Sequence, residues 1–238
     1  MSLQLFPLWE NKMDIIQKIV TAENLLFMLK AAGYSLLVAV IALALGSILG
    51  LLAAASKMSH FKVLRTIANV YVEFFRGSPM LLQILLFYLC GPIITKALFG
   101  FVFTPNPYFV GVIAIGMNSG AYSTELFRAA IQSIDKGQWE ASKTIGLNYV
   151  QTMRHIILPQ AFKRVLPPYI NEFIVLIKDS SLLTVIGAVE LLHSAEILGS
   201  HFYNYLIPLL MATVLYLTMT LTISYFARKL ERRLAESD

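Results

Sequence analysis

The sequence predicts an all-α, polytopic membrane protein with five transmembrane helices. Of its 238 residues, 57% are hydrophobic and only 14% are charged, and the mean hydropathy is +0.68. A soluble domain is closer to half apolar and a quarter charged. A helix needs about 20 mostly apolar residues to cross the hydrocarbon core. Segments of this kind are predicted at residues 31–55, 62–91, 109–133, 167–189 and 204–227.

Basic residues are unevenly distributed between the connecting segments, and this asymmetry orients the helices. One side carries twelve of them, namely Lys57, Lys62, Arg65, Lys136, Lys143, Arg154, Lys163, Arg164, Arg228, Lys229, Arg232 and Arg233. The other side carries three, namely Lys12, Lys18 and Lys96. Because basic loops remain in the cytoplasm, we expect a multi-pass protein with its N-terminus outside and its C-terminus in the cytoplasm. The net charge of +5 then reflects topology, and no nucleic-acid partner is expected.

The start of the chain predicts a separate surface element. Residues 1–24 are interpreted as an amphipathic segment on the outer face of the membrane that the protein spans, and residues 25–238 as the transmembrane domain. Its large apolar side chains suit the lipid interface: Phe6, Leu8 and Trp9. In the first span, Gly46 and Gly50 have the spacing of small residues that permits close helix packing.

The second span contains a polar interruption. Glu73 and Arg76 are spaced i, i+3 and can neutralise each other on one helix face. Gly77 permits a bend and Pro79 removes a backbone donor, so a structural hinge is predicted where the helix kinks or restarts. Residues 91–108, rich in Pro and Gly, predict an outer loop.

Polar side chains at membrane depth predict a binding site in the third and fourth spans. A charge at the bilayer centre costs at least about 2.5–3.5 kcal/mol, so such residues are functional candidates. Asn118, Tyr122 and Glu125 share one helix face, and Lys178 and Asp179 lie at a similar depth. An acid, a lysine and an amide can match both charged ends of an amino acid. We therefore expect these side chains to border a substrate cavity.

The same charges allow a structural interpretation, which the sequence leaves open. Glu125 can pair with Lys178 or with Arg128, and Lys178 can pair with Asp179, so that the pairs lock helices together. No catalytic residue and no metal ligand set is predicted. The sequence lacks the G-x-x-x-x-G-K-[ST], H-E-x-x-H and G-x-S-x-G motifs. We therefore do not expect this chain to be an enzyme.

The basic segment at about residues 135–165 carries a spaced motif. It reads Glu140-Ala141-Ser142, then Gly146-Leu147, then Ile156-Ile157-Leu158-Pro159. This spacing resembles the cytoplasmic coupling loop of bacterial ABC-importer permeases, where Glu-Ala-Ala is followed by Gly, Ile and Leu-Pro. Ser142 replaces the second Ala of that pattern.

Further motifs resemble the branch of these permeases for polar amino acids, the histidine/glutamine/arginine type. They are Arg76-Gly77-Ser78-Pro79 with Gln83, Asn118-Ser119-Gly120-Ala121-Tyr122 with Glu125, and Lys178-Asp179-Ser180-Ser181-Leu182. The resemblance implies a type I ABC-importer permease fold in the bacterial inner membrane. It also implies a substrate such as glutamine, arginine or histidine, and places Ser119 with the substrate-binding residues.

The resemblance implies several partners. Two permease subunits, identical or paralogous, would dock on two ABC ATPase subunits, and an external binding protein would deliver the amino acid. The ATPases would be contacted by Glu140, Ala141, Ser142, Gly146 and Leu147. ATP would bind to the partner subunits, with no cofactor on this chain, and membrane lipid would surround the spans.

One alternative function is an ion-coupled secondary amino-acid transporter. Glu125, Lys178 and Asp179 would then form a proton or ion relay. Common secondary transporters are built from internal repeats, and this sequence shows none, which favours the importer.

Overall fold

The computed structural model describes residues 10–235, and its regular elements in that range are all helical, as predicted. The α-helices are α1 Glu10–Ile19, α2 Ala22–Lys57, α3 Lys62–Gly77, α4 Met80–Leu85, α5 Gly91–Phe99, α6 Pro107–Gln132, α7 Lys136–Thr144, α8 Tyr149–Thr152, α9 Leu158–Asp179, α10 Leu191–Phe202 and α11 Leu206–Ala235. Two π-helical turns, Leu86–Cys90 and Met153–Ile157, precede α5 and α9, and a 3₁₀ segment, Ser180–Ile186, follows α9.

The predicted spans correspond to long helical segments. Residues 22–57, 80–99 and 206–233 are each long and apolar enough to cross a membrane. The more polar helices α6 and α9 pack against each other and against α2. The helix that contains the start of the fourth predicted span, α9, begins nine residues before that span, at Leu158. Pro159 lies in its first turn, where a missing N–H costs little.

The predicted hinge is a complete helix break, and the predicted outer loop is partly wrong. Ser78 and Pro79 have extended backbone between α3 and α4. Beyond this break the chain remains helical as far as Phe99, so residues 91–99 are not loop. Pro92 is tolerated in the first turn of α5, and Gly100, with φ of 76°, ends the helix in the left-handed conformation.

The contact between α2 and α6 uses the small residues of the first span. A Cβ atom on Gly46 would lie 2.9 Å from Ser119 Oγ, and one on Gly50 would lie 2.7 Å from Ser123 Cβ. Any larger residue at either glycine would therefore separate the two helices. The predicted close packing is confirmed, and it holds the polar face of α6 in place.

At the N-terminus the boundary differs from the prediction. Phe6, Leu8 and Trp9 of the predicted surface segment lie outside the described residues. Within them, α2 begins at Ala22, after Thr21, whose hydroxyl accepts a hydrogen bond from the Asn24 backbone N–H. The predicted boundary at residue 24 thus falls inside a continuous helix.

Candidate functional site

A polar cavity of about 420 Å³ lies between α6, α9 and the break that separates α3 from α4. Its lining includes Ser78, Asn118, Tyr122, Glu172, Val175 and Asp179. Three of these, Asn118, Tyr122 and Asp179, belong to the set predicted from the sequence. The helix break and the polar face of α6, which are separate features in the sequence, therefore form one site.

Two buried amide side chains form hydrogen bonds with backbone carbonyls at the helix break. Asn118 Nδ2 donates to the Phe75 carbonyl oxygen and to Gln83 Oε1, each at 3.0 Å. Gln83 Nε2 donates to the Phe75 carbonyl at 2.9 Å and to the Ser78 carbonyl at 3.0 Å. The last carbonyls of a helix lack partners within it, and these amides satisfy two of them. Asn118 thus positions one cavity wall as well as lining the cavity.

The two carboxyl groups of the cavity come from one face of α9. Glu172 and Asp179 are seven residues apart, which is close to two helical turns. Glu172 Oε1 accepts a hydrogen bond of 2.8 Å from Ser119 Oγ, so the predicted Ser119 acts on the site through Glu172. The prediction omitted Glu172 from the site, although its spacing from Asp179 is the signal that identifies it.

Glu125 does not line the cavity. Its Oε1 lies 2.6 Å from Lys57 Nζ, at the end of α2, and its Oε2 lies 2.5 Å from Arg128 Nη2. The side chains of Lys57 and Glu125 are only 13% and 19% exposed. Of the interpretations left open, the Glu125–Arg128 pair is confirmed. Sequence reasoning missed Lys57, because its distance along the chain gave no signal of contact.

Lys178 is also absent from the cavity lining. It points to the α11 side of α9, where it borders a small cleft with Thr213 and Tyr216. Among residues 10–235, no ion pair joins Lys178 to Glu125. Asp179, the next residue, faces the cavity because successive helical residues are rotated by about 100°.

Arg76 lies beside the cavity. Its guanidinium carbon is 5.3 Å from the centroid of the Tyr122 ring, which is the geometry of a cation–π contact. The expected ion pair between Glu73 and Arg76 is not found in the described part of the chain. Of the predicted hinge residues, Gly77 ends α3 and Pro79 lies in the break itself.

The predicted coupling segment folds into α7 and a tight turn. The Gly146 N–H donates to the Lys143 carbonyl and the Leu147 N–H to the Ser142 carbonyl, each at 3.0 Å. These are the two hydrogen bonds of a Schellman motif, which requires a left-handed residue after the helix. Gly146 meets that requirement with φ of 83°.

The inner face of α7 is attached to the start of α9. Buried Ser142 accepts a hydrogen bond of 3.1 Å from Thr152 Oγ1, and the Trp139 and Tyr149 rings stack with centroids 6.0 Å apart. Gln160, in the first turn of α9, donates to Gln138 Oε1 at 3.2 Å. These contacts attach α7 to α8 and to the first turn of α9.

The outer face of the coupling segment is exposed. Glu140 and Ala141 are both exposed, and Ile145 and Val150 retain 72% and 70% of their surface. An exposed apolar patch rimmed by polar residues is a feature of protein docking surfaces. Within the sequence motif, Ser142 is therefore buried, whereas the surface around Glu140 is exposed.

Known proteins are similar to this chain in sequence and in fold. The arginine transport system permease protein ArtQ of Bacillus subtilis is 36% identical over 218 residues, covering 92% of this chain and 97% of its own. A Rickettsia prowazekii relative whose name refers to glutamine transport, GlnP, is 36% identical over 211 residues, covering 89% and 94%.

Solved structures confirm the expected ABC-importer permease fold. The crystal structure of an amino acid ABC transporter with histidines matches with a TM-score of 0.80 at 37% identity, covering 87% of this chain and 94% of that one. The MetNI methionine ABC transporter shares the fold at 17% identity, with a TM-score of 0.74 and coverage of 90% and 99%. The family model for the inner membrane component of binding-protein-dependent transport systems matches residues 46–236. The chain belongs to this family of permeases.

Proposed function

We propose that this chain is the membrane-spanning subunit of an ATP-driven amino-acid importer, and that the amino acid binds in the cavity between α6 and α9. The relatives named for arginine and glutamine transport support an amino acid as substrate. The cavity supports the location, since it combines amide, hydroxyl and carboxyl groups between α6, α9 and the helix break.

One observation favours a cationic amino acid. The cavity lining contains two carboxyl groups, Glu172 and Asp179, and no lysine or arginine among the described residues. A charge in a low-dielectric site is costly unless it is paired. An amino acid with a positively charged side chain brings two cationic groups, one for each carboxyl. Arg76, beside Tyr122, is positioned to receive the substrate's carboxylate.

Equilibrium binding to the purified permease–ATPase complex, without the external binding protein, tests this proposal. Arginine and citrulline are a matched pair of ligands, because they have similar shapes and differ in side-chain charge. We expect arginine to bind more tightly by at least tenfold. Equal binding would contradict the cationic class. If neither ligand, nor glutamine, nor histidine bound, the cavity itself would be excluded as the amino-acid site.

We propose that the ATPase subunits dock on the exposed face of α7. They would bind the ATP, and this chain would bind no cofactor directly. From Leu158 to Asp179, α9 has 22 residues and is roughly 33 Å long. It therefore connects the docking surface to the cavity. A second permease copy or paralogue would complete the membrane part, and an external binding protein would deliver the amino acid.

The proposed orientation places the coupling segment in the cytoplasm and the turn between α10 and α11 outside the cell. Lys136 and Tyr203 are both exposed and suit labelling. After Cys90, the single native cysteine, is replaced by serine, a cysteine is introduced at either position. In intact cells, a membrane-impermeant maleimide should label Tyr203→Cys, and should label Lys136→Cys only after permeabilisation. The reverse pattern would contradict the orientation.

A further inference from the structure

The C-terminal end of α11 carries a stripe of positive charge that the proposed function does not use. Tyr225, Arg228, Lys229, Arg232 and Arg233 line a shallow cleft of about 400 Å³ along this helix. Their spacings of three and four residues place them on one helix face. All five side chains are exposed. We name this face the basic stripe.

The basic stripe lies at the depth of lipid headgroups. Tyr225 follows Leu206 by nineteen residues, which is about 29 Å at 1.5 Å per residue. The hydrocarbon core is about 30 Å thick, so a helix that enters it at Leu206 reaches the far boundary near Tyr225. The four cations follow within the next two turns, in the layer where phosphates are found. Within this chain, only 11% of the most apolar 18-residue stretch of this helix is buried.

The charges of the stripe are not neutralised by carboxylates in the described part of the chain. Among residues 10–235, the ion pairs of lysine and arginine involve Lys57 and Arg128, and none involves a cation of the stripe. Lys57 and Arg128, by contrast, share one carboxylate, Glu125. The basic stripe therefore presents a concentrated positive charge to its surroundings.

We propose that the basic stripe binds the phosphate-bearing headgroups of anionic lipids, with the acyl chains lying along the apolar surface of α11. The charge is complementary to an anionic headgroup, and Tyr225 is an aromatic residue of the kind enriched at the membrane interface. A protein partner is disfavoured, because the exposed apolar surface that suits protein docking lies around Ile145 instead.

The experiment uses the full-length permease–ATPase complex in lipid nanodiscs. A Tyr225→Trp variant places a fluorophore at the stripe, and the signal of Trp9 and Trp139 is subtracted with the parent protein. Quenching is compared between brominated phosphatidylglycerol and brominated phosphatidylcholine. Each cation near an anionic surface contributes about fivefold in affinity. Arg232→Gln/Arg233→Gln should therefore reduce the preference for phosphatidylglycerol by up to roughly thirtyfold.

The matched control is Lys62→Gln/Arg65→Gln, which removes two exposed charges at the start of α3. We expect this control to keep the lipid preference. Equal quenching by both lipids in the Tyr225→Trp complex would overturn the proposal, as would equal losses in the two double variants. Displacement by inorganic phosphate, but not by chloride at equal ionic strength, would assign the stripe to a soluble anion. Loss of the ATPase with unchanged lipid preference would assign it to a protein partner.

Discussion

Replacing Asp179 with asparagine is expected to abolish the preference for arginine over citrulline. Asparagine keeps the size and polarity of the side chain but cannot carry a negative charge. Removing one partner of a buried charge pair typically costs about 2–5 kcal/mol, or at least roughly thirtyfold in affinity. Arginine binding should fall by that factor, whereas citrulline binding should change little. The measurement is the arginine-to-citrulline ratio at equilibrium on the permease–ATPase complex.

Two further variants decide whether the effect belongs to the cavity. Glu172→Gln should reduce the ratio in the same direction, because Glu172 provides the second carboxyl group. Glu196→Gln is the matched control, since this carboxyl lies on α10, paired with His193 and outside the cavity. An unchanged ratio in both Asp179→Asn and Glu172→Gln would show that neither carboxyl contacts the ligand. A loss in Glu196→Gln as well would point to a general electrostatic effect.

Replacing Gly146 with valine is expected to uncouple transport from ATP hydrolysis, with a loss of at least tenfold in ATP-driven uptake. A left-handed conformation costs an L-residue roughly 1–2 kcal/mol, and a β-branched residue is especially disfavoured there. A Cβ atom at Gly146 would meet no atom within 4 Å, so the cost is one of backbone conformation, not of space. The turn after α7 would shift, and the docking surface would shift with it.

Gly100 provides the matched control for this variant. It has φ of 76° and equally open surroundings, but it ends α5 on the opposite side of the membrane in the proposed orientation. Gly100→Val therefore has a similar backbone cost and should retain ATP-driven uptake. Gly146→Asn, which tolerates the left-handed region, should retain more activity than valine. Equal losses in Gly100→Val and Gly146→Val would attribute the effect to folding.

Charge reversal at Glu140 separates docking from turn geometry. Glu140 is exposed, and Glu140→Lys leaves the Schellman hydrogen bonds at Gly146 intact. It should reduce co-purification of the ATPase, because a reversed charge repels a complementary surface. Normal co-purification and uptake would remove Glu140 from the interface.

Properties that depend on local spacing could be predicted from the sequence. Hydropathy predicted the helical membrane fold, and Gly77 and Pro79 predicted the interruption of the second span. The spacing of Glu140 and Gly146 predicted a coupling segment, and its contact with the ATPases stays a proposal. Each of these depends on interactions within a few residues, or between one segment and the membrane, so no tertiary information is needed.

The composition of the cavity, in contrast, was decided by the tertiary structure. The sequence placed Glu125 and Lys178 in the site because both are charged and lie at membrane depth. Glu125 instead pairs with Lys57, which is 68 residues away, and Lys178 faces α11. Whether a charged side chain faces a cavity or a neighbouring helix depends on how each helix is rotated and which helix packs beside it. The contact of Gly46 and Gly50 with α6 sets part of that arrangement. The spacing of residues within one helix does not show which helix it contacts.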